Sequence, residues 1–393
     1  MTKSLIFIER SLTIFWQRLE DTCSNDARSL GLFRIFWGMY ILLFFTPYSA
    51  FVGQVPQAFY NPPVLSLASL FAGFPPYWLM LAGDLVRIWL VVLITIGIKT
   101  RFCTIVLCLL TFISNNFVYS FGKIDHDALV WAVSLCLAFT DWGVPYALVP
   151  DRRVNPKVAT RALATAGVLI AFGFFTAGFE KALHWINFDL STGGFLGWFY
   201  GGYLILDRKL LLAPLVFRVP PQLFKILDYA AVAFELSPFF FLLAGPAAWR
   251  AWLLVATCFH LANALLLNIP FWDHVLVYLP FVAFARSFGR LNVGVRATNA
   301  VFSWRVLVII CAIILGAAHT AQRLKGGGSQ FLFVEGGSVV SIYLYGSLVL
   351  LALCAVMIAI DLTTRVYGTR LYRDSSRRAV PDDARSGPDM ADR

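Results

Sequence analysis

Lys181 closes the run Phe174-Phe175-Thr176-Ala177-Gly178-Phe179-Glu180-Lys181, at the end of a long apolar helical stretch. Inside a lipid-buried bundle an ammonium costs several kcal/mol unless it is paired, wet or neutral, so an intramembrane lysine is a functional candidate by default. In its neutral form the amine is a general base. On the topology argued below, all five histidines (His126, His184, His260, His274 and His319) fall on the same side as Lys181. Asp125, Asp127, Glu235 and Asn263 join them there. Imidazole, carboxylate and amine gathered at one depth form the set that proton transfer uses.

Helical spacing groups these residues further. Thr257, His260 and Asn263 stand at i, i+3 and i+6, on one face, and Asp228 and Glu235 share another. Pro238 frees a backbone carbonyl near Glu235. Gly167, Ala171, Gly178 and Lys181 form a stripe whose small members let helices approach closely, which would hold Lys181 against the bundle core.

Each residue also has a plainer reading. Lys181 can snorkel to the interface as a helix-end anchor. His126 can be a first-turn residue beside the cap Asp125. Glu235 can be a structural partner of Lys181 or Arg87, and Thr257, His260 and Asn263 can be interhelical glue. His184, His274 and His319 are expected to be wet interface residues. The histidines lack close i, i+4 ligand spacing and the seven cysteines are scattered without a CxxC, so no metal is predicted.

The elements that must position these groups are membrane helices. The 393 residues are 59% hydrophobic and 14% charged, against about 25% charged in soluble domains. Several continuous apolar runs reach the ~20 residues that cross a bilayer, so the expected fold is an all-α polytopic bundle of about ten spans, with eight to ten as the range. The spans are predicted near 30–52, 78–98, 102–121, 126–148, 160–181, 228–245, 249–268, 271–287, 304–320 and 338–362. Residues 1–27 read as a cytoplasmic interfacial segment, with an amphipathic helix over 2–22. Residues 28–290 form the main transmembrane domain, 291–365 two further helices of the same bundle, and 366–393 a disordered cytoplasmic tail.

Lys and Arg are concentrated after the second, fourth and eighth spans and in the tail, whereas 51–77 contains neither. Both termini are therefore predicted to be cytoplasmic, in the cell (inner) membrane, with Lys181 facing outward. Arg208, Lys209, Arg218, Lys225, Arg323 and Lys325 run against that assignment, and the apolar runs within 182–227 suggest a re-entrant or interfacial segment. The net charge of +10 sits in loops and tail, so it reads as topology information and predicts the bilayer, not nucleic acid, as partner.

Three segments carry a family resemblance. The first is Gly122-Lys123-Ile124-Asp125-His126-Asp127-Ala128-Leu129, followed by Thr140-Asp141-Trp142-Gly143. The second is Phe175 to Lys181, with Trp185 after it. The third is Phe259-His260-Leu261-Ala262-Asn263, then Leu266, Ile269 and Phe271. In this order and spacing the chain resembles the horizontally transferred transmembrane (HTTM) domain family, related to the membrane domain of vitamin K-dependent gamma-carboxylase, over roughly residues 28–290. The resemblance implies a lyase-type chemistry with a reduced quinone as cofactor. Lys181 matches the base that deprotonates the hydroquinone, and His126 matches an assisting histidine. Oxygen then turns the hydroquinone into a strong base, and carbon dioxide adds to the carbanion it makes from a glutamate. Asp125 stands where the family carries asparagine.

Two function classes stay open. One is an enzyme with catalytic Lys181 and His126, supported by Asp125, Asp127, Glu235, Thr257, His260 and Asn263. The other is a non-enzymatic binding or maturation partner whose polar outer cavity takes a peptide or small acidic substrate. A channel or transporter is disfavoured, because polar groups confined to one leaflet give no conduction path.

Overall fold

A computed structural model describes residues 2–64, 66–121, 127–189, 193–289, 298–326, 332 and 338–378. Among them the helices are α1 (Thr2–Cys23), α2 (Ala27–Phe44), α3 (Tyr77–Ile96), α4 (Thr100–Val118), α5 (Asp127–Leu137), α6 (Pro156–Trp185), α7 (Gly194–Tyr200), α8 (Pro221–Leu236), α9 (Pro238–Ala244), α10 (Pro246–Leu267), α11 (Val275–Tyr278), α12 (Phe284–Gly289), α13 (Thr298–Leu324) and α14 (Ser338–Arg378). The described residues hold two isolated β-bridges and no strand. Seven helices, α2, α3, α4, α6, α10, α13 and α14, are long and apolar enough to cross a membrane. An eighth crossing results if α8 and α9, bent by 48° at Ser237, are taken as one.

Local chemistry sets several boundaries. Asn155 caps α6 by accepting the Lys157 amide at 3.0 Å, and Pro156 fills the first helical position, where no amide partner is needed. The turn from α3 to α4 takes Gly97 and Lys99 through left-handed conformations, with φ of 79° and 44°. A Cβ on Gly97 would stand 2.5 Å from the Ala147 Cα, so the close crossing of this turn requires glycine.

The helices pack around an aromatic core. Trp37 of α2 meets Trp131 and Trp142 edge-on, with ring centroids 6.3 and 5.7 Å away. α14 lies along α10, α6 along α8, and α3 contacts α2, α4 and α13. The later helices thus join the bundle built by the earlier ones. α1 is docked on it: Leu19 and Cys23 are buried, and Arg18 Nε donates to the Leu243 carbonyl at 3.0 Å.

Two predicted spans are corrected. The predicted span at 126–148 is an 11-residue helix, α5, about 17 Å long. Asp141, Gly143 and Pro145 break the apolar run behind it, and Thr140 caps a 3₁₀ turn at Asp141–Gly143. The predicted span at 271–287 is a chain of one-turn pieces (Trp272–His274, α11, Leu279–Phe281 and α12). Trp272 through Ala283 are all buried inside the bundle, where irregular backbone is tolerated because protein surrounds it. Among the described residues seven or eight helical segments are therefore long and apolar enough to cross a membrane, at or below the bottom of the expected range. In the stretch 366–393, expected to be disordered, α14 continues to Arg378, with an i, i+4 pair between Arg365 Nε and Asp361 Oδ2 at 3.0 Å upstream. Residues 379–393 lie outside the described residues.

Candidate functional site

Lys181 sits one turn before the end of α6, which at 30 residues is about 45 Å long and exceeds the hydrocarbon core. Its Nζ donates to Glu235 Oε1 on α8 and lies 5.2 Å from the centroid of the Trp185 ring. The Lys181 side chain is 25% exposed and that of Glu235 only 4%. The pair thus has one end reaching the surface and one end buried. Glu235 Oε2 has no hydrogen-bond partner, the one buried carboxylate oxygen so placed among the described residues. An unsatisfied buried acceptor costs about 1–3 kcal/mol, more when charged.

The small-residue stripe explains how the two helices come close enough. A Cβ on Gly178 would stand 2.7 Å from the Glu235 Cβ, and one on Gly167 would stand 2.7 Å from Cys23 Sγ. Gly178 is therefore the contact point that brings Glu235 under Lys181. The end of α6 is held by Lys225, whose Nζ donates to the Trp185 carbonyl at 3.0 Å and to Asn187 Oδ1 at 2.8 Å. Asp228, on the same face of α8 as Glu235 and two turns before it, accepts the Gly194 and Phe195 amides at 3.0 and 2.8 Å and so caps α7.

The other predicted residues divide. His126 and Asp125 lie outside the described residues. Leu129, three residues beyond His126, faces α6 two turns before Lys181: a Cβ on Gly173 would stand 3.7 Å from the Leu129 Cδ2. Asp127 accepts from Asn115 Nδ2 at 2.8 Å and from the Tyr119 hydroxyl, which ties α5 to α4. Thr257 donates back to the Leu253 carbonyl at 2.8 Å along its own helix. Asn263 is half-buried, and its carbonyl accepts the Ile269 amide at 3.4 Å. His260 is buried, with Nε2 2.8 Å from the Tyr278 hydroxyl.

An aromatic layer joins His260 to the lysine pair. Phe174 of α6 lies 5.8 Å from the His260 ring, 5.8 Å from Phe234, next to Glu235, and 4.8 Å from Trp252. Two of the three histidines expected to be wet are buried. His319 Nε2 lies 2.7 Å from the Leu42 carbonyl and 2.9 Å from Thr46 Oγ1, and His274 Nδ1 lies 3.1 Å from Asp273 Oδ1. His184 is exposed, as expected, and so is Glu180.

A second buried ion pair, Asp84 with Arg87 on α3, was not singled out as a pair in the sequence, although two charges three apart in an apolar span are a visible signal. A cleft of about 550 Å³ opens between α5 and α6 at the end of the bundle away from Lys181, lined by Leu135, Cys136, Phe139, Lys157 and Arg161. It is separate from the polar groups described here. The described residues contain no cluster of three or more His, Cys, Asp and Glu side chains fit to hold a metal ion.

No protein-family model, no curated protein and no solved structure matches this chain. The functional reading rests on the residues themselves. Their arrangement supplies one amine and one carboxylate in direct contact, with a buried acceptor oxygen to spare. Such a pair can trade a proton: the ammonium and carboxylate become amine and carboxylic acid without any net change of charge. That exchange creates the neutral base the sequence argument calls for, at small electrostatic cost in a low-dielectric layer.

Proposed function

We propose that this chain is a membrane enzyme in which Lys181, buffered by Glu235, takes a proton from a lipid-soluble hydroquinone, as the resemblance to the HTTM and carboxylase membrane domains implies. The observation that carries the reading is the contact of Lys181 with a buried carboxylate that keeps a free oxygen. Transfer of a proton from the ammonium to Glu235 leaves the amine to accept the hydroquinone hydroxyl proton. The products are a lysine ammonium and a hydroquinone monoanion, with a protonated Glu235. A quinol arriving from lipid would meet the aromatic surroundings Trp185, Phe174 and Phe234, which suit a planar ring. Oxidation of the anion and carbon dioxide addition to a glutamate follow from the resemblance, as does assistance by His126.

On this reading the Lys181 end of the bundle faces outward and both termini face the cytoplasm. The test uses purified protein in lipid nanodiscs with a reduced benzoquinone or naphthoquinone and oxygen, following quinone absorbance. Wild type should oxidise the quinol above the uncatalysed rate, and Lys181→Ala should return it to background. Absence of turnover with either quinol, together with saturable binding of a peptide or small acid, would favour the non-enzymatic binding role instead.

A further inference from the structure

The cleft between α5 and α6 has no part in the step proposed above. It exists because α5 stops short. After Leu137 the chain turns toward α2, where Trp142 packs edge-on against Trp37. The returning segment is held elsewhere, with the Leu148 and Val149 amides bonded to the Ile96 and Gly97 carbonyls at 3.0 and 2.9 Å. Both stretches leave one face of the first turns of α6 uncovered. The space there is about 550 Å³, within the roughly 300–1,000 Å³ of small-molecule sites.

Its lining changes character along α6. Lys157, Arg161 and Thr165 follow one another at i, i+4 and i+8, with Val158 and Ala162 beside them. Thr165 lies about 12 Å further along the axis than Lys157, at 1.5 Å per residue. From α5 come Leu135 and Cys136, and the exposed Phe139 follows just beyond its end. One end of the cleft is therefore cationic and the rest apolar. That gradient runs along the helix axis, as the head and tail of a lipid do.

The cations keep capacity for an anion. Lys157 is exposed, and no ion pair among the described residues includes it. Arg161 gives Nε and Nη2 to Glu20 Oε1 on α1, each at 2.7 Å, and lies 5.0 Å from the centroid of the Trp16 ring. Its side chain is still 56% exposed. Arg101 brings a third charge near: its Nε donates to the Ala138 carbonyl at 3.2 Å and its Nη2 to the Arg152 carbonyl at 2.9 Å. Residues 152–161 hold Arg152, Arg153, Lys157 and Arg161 without an acid among them. The acids on either side are engaged with backbone, Asp151 with the Arg101 amide and Asp141 with the Val154 amide, both at 2.8 Å. Glu20 thus offsets one charge of the set, and like charges at i, i+4 repel unless an anion lies between them.

We propose that this cleft binds an anionic glycerophospholipid, its phosphate between Lys157 and Arg161 and one acyl chain along Leu135, Cys136, Ala162 and Thr165. Basic pockets between membrane helices suit such headgroups. On the charge-based topology the cleft opens to the cytoplasmic leaflet, the one that carries negative surface potential. The inference is independent of the lysine chemistry at the far end of α6.

The test is native mass spectrometry of full-length protein, delipidated in detergent and titrated with phosphatidylglycerol or phosphatidylcholine. Wild type should hold one phosphatidylglycerol in preference to phosphatidylcholine. Lys157→Gln with Arg161→Gln should weaken that adduct by roughly thirtyfold, the joint effect of two basic side chains at a headgroup. Ala162→Phe, which fills the groove and leaves the charge alone, should weaken it as well. Arg10→Gln with Lys325→Gln removes the same charge at exposed positions elsewhere and should leave it unchanged. Displacement of the lipid by inorganic phosphate would make the site one for a soluble anion and overturn the proposal. Equal retention of phosphatidylcholine, undiminished binding by Ala162→Phe, or an equal loss in the Arg10 and Lys325 variant would overturn it too. Should the cleft variants not fold, wild type decides by itself. Phosphatidylglycerol with a photoreactive group in its acyl chain should label residues 135–139 and 158–165 above other lipid-facing surface, and even labelling along α3, α4 and α6 would sink the site.

Discussion

Two buried ion pairs lie near the same end of this bundle, and they are built to different standards. Asp84 accepts the Ser49 and Ala50 amides at 2.9–3.0 Å, the Ser49 hydroxyl at 2.8 Å and the Arg87 guanidinium, so neither oxygen is left over. Both members are sealed, at 0% and 1% exposure. That is a staple, which pins the 45–54 segment to α3. Glu235 has one contact, from Lys181, and an orphan oxygen, and its lysine reaches the surface. The residue types are nearly the same, yet one carboxylate is saturated and the other is left able to take a proton. A buried acid that the fold declines to satisfy is a better sign of chemistry than a buried acid as such.

The contrast predicts unequal mutational costs. The largest effect should come from Asp84→Asn, which strands the fully enclosed Arg87 and should cost about 3–5 kcal/mol, read as a large fall in thermal midpoint or loss of folded protein. Glu235→Gln should cost clearly less, because the freed Lys181 can hydrate, and the Lys181→Met, Glu235→Gln double variant should be no less stable than Glu235→Gln alone. Equal losses for Asp84→Asn and Glu235→Gln in the same detergent would make both pairs staples.

A middle-sized effect belongs to Gly178→Ala. The new methyl meets Glu235 Cβ, so α6 and α8 must separate, at about 1–3 kcal/mol and with loss of the lysine contact. Gly83→Ala on α3, where a Cβ meets nothing within 4 Å, should be neutral or slightly stabilising. If the two substitutions behave alike, the close helix approach at the site is absent. The smallest perturbation tests orientation. Cysteines introduced at the exposed positions Val64 and Arg153 should differ in labelling by an impermeant maleimide, with position 64 reacting from outside. Labelling of 153 alone would invert the topology.

Much of the site was legible because helical period and hydropathy act locally. The stripe Gly167, Ala171, Gly178 was readable from spacing, and these residues are the buried face of α6. His274 was misjudged as wet because nothing local distinguishes a loop histidine at the surface from one tucked under α14. Its neighbour Trp272 packs on Tyr343 at 4.5 Å, a contact between positions far apart in the chain. Asp84 and Arg87 were legible in principle, since only each other's company explains two charges in an apolar helix.

By itself the sequence determined the class, an all-α membrane protein, because transfer of long apolar runs out of water does not depend on what receives them. It also placed the ionisable groups along their helices. Only the tertiary structure decided which runs meet other protein instead of qualifying as spans, as at 126–148 and 271–287, where short and broken helices are folded into the bundle. It also chose Glu235 as the partner of Lys181 over the adjacent Glu180 and left Arg87 to Asp84. Pairing across 54 positions depends on which helix faces touch, and that is a property of packed volumes with no counterpart in local sequence.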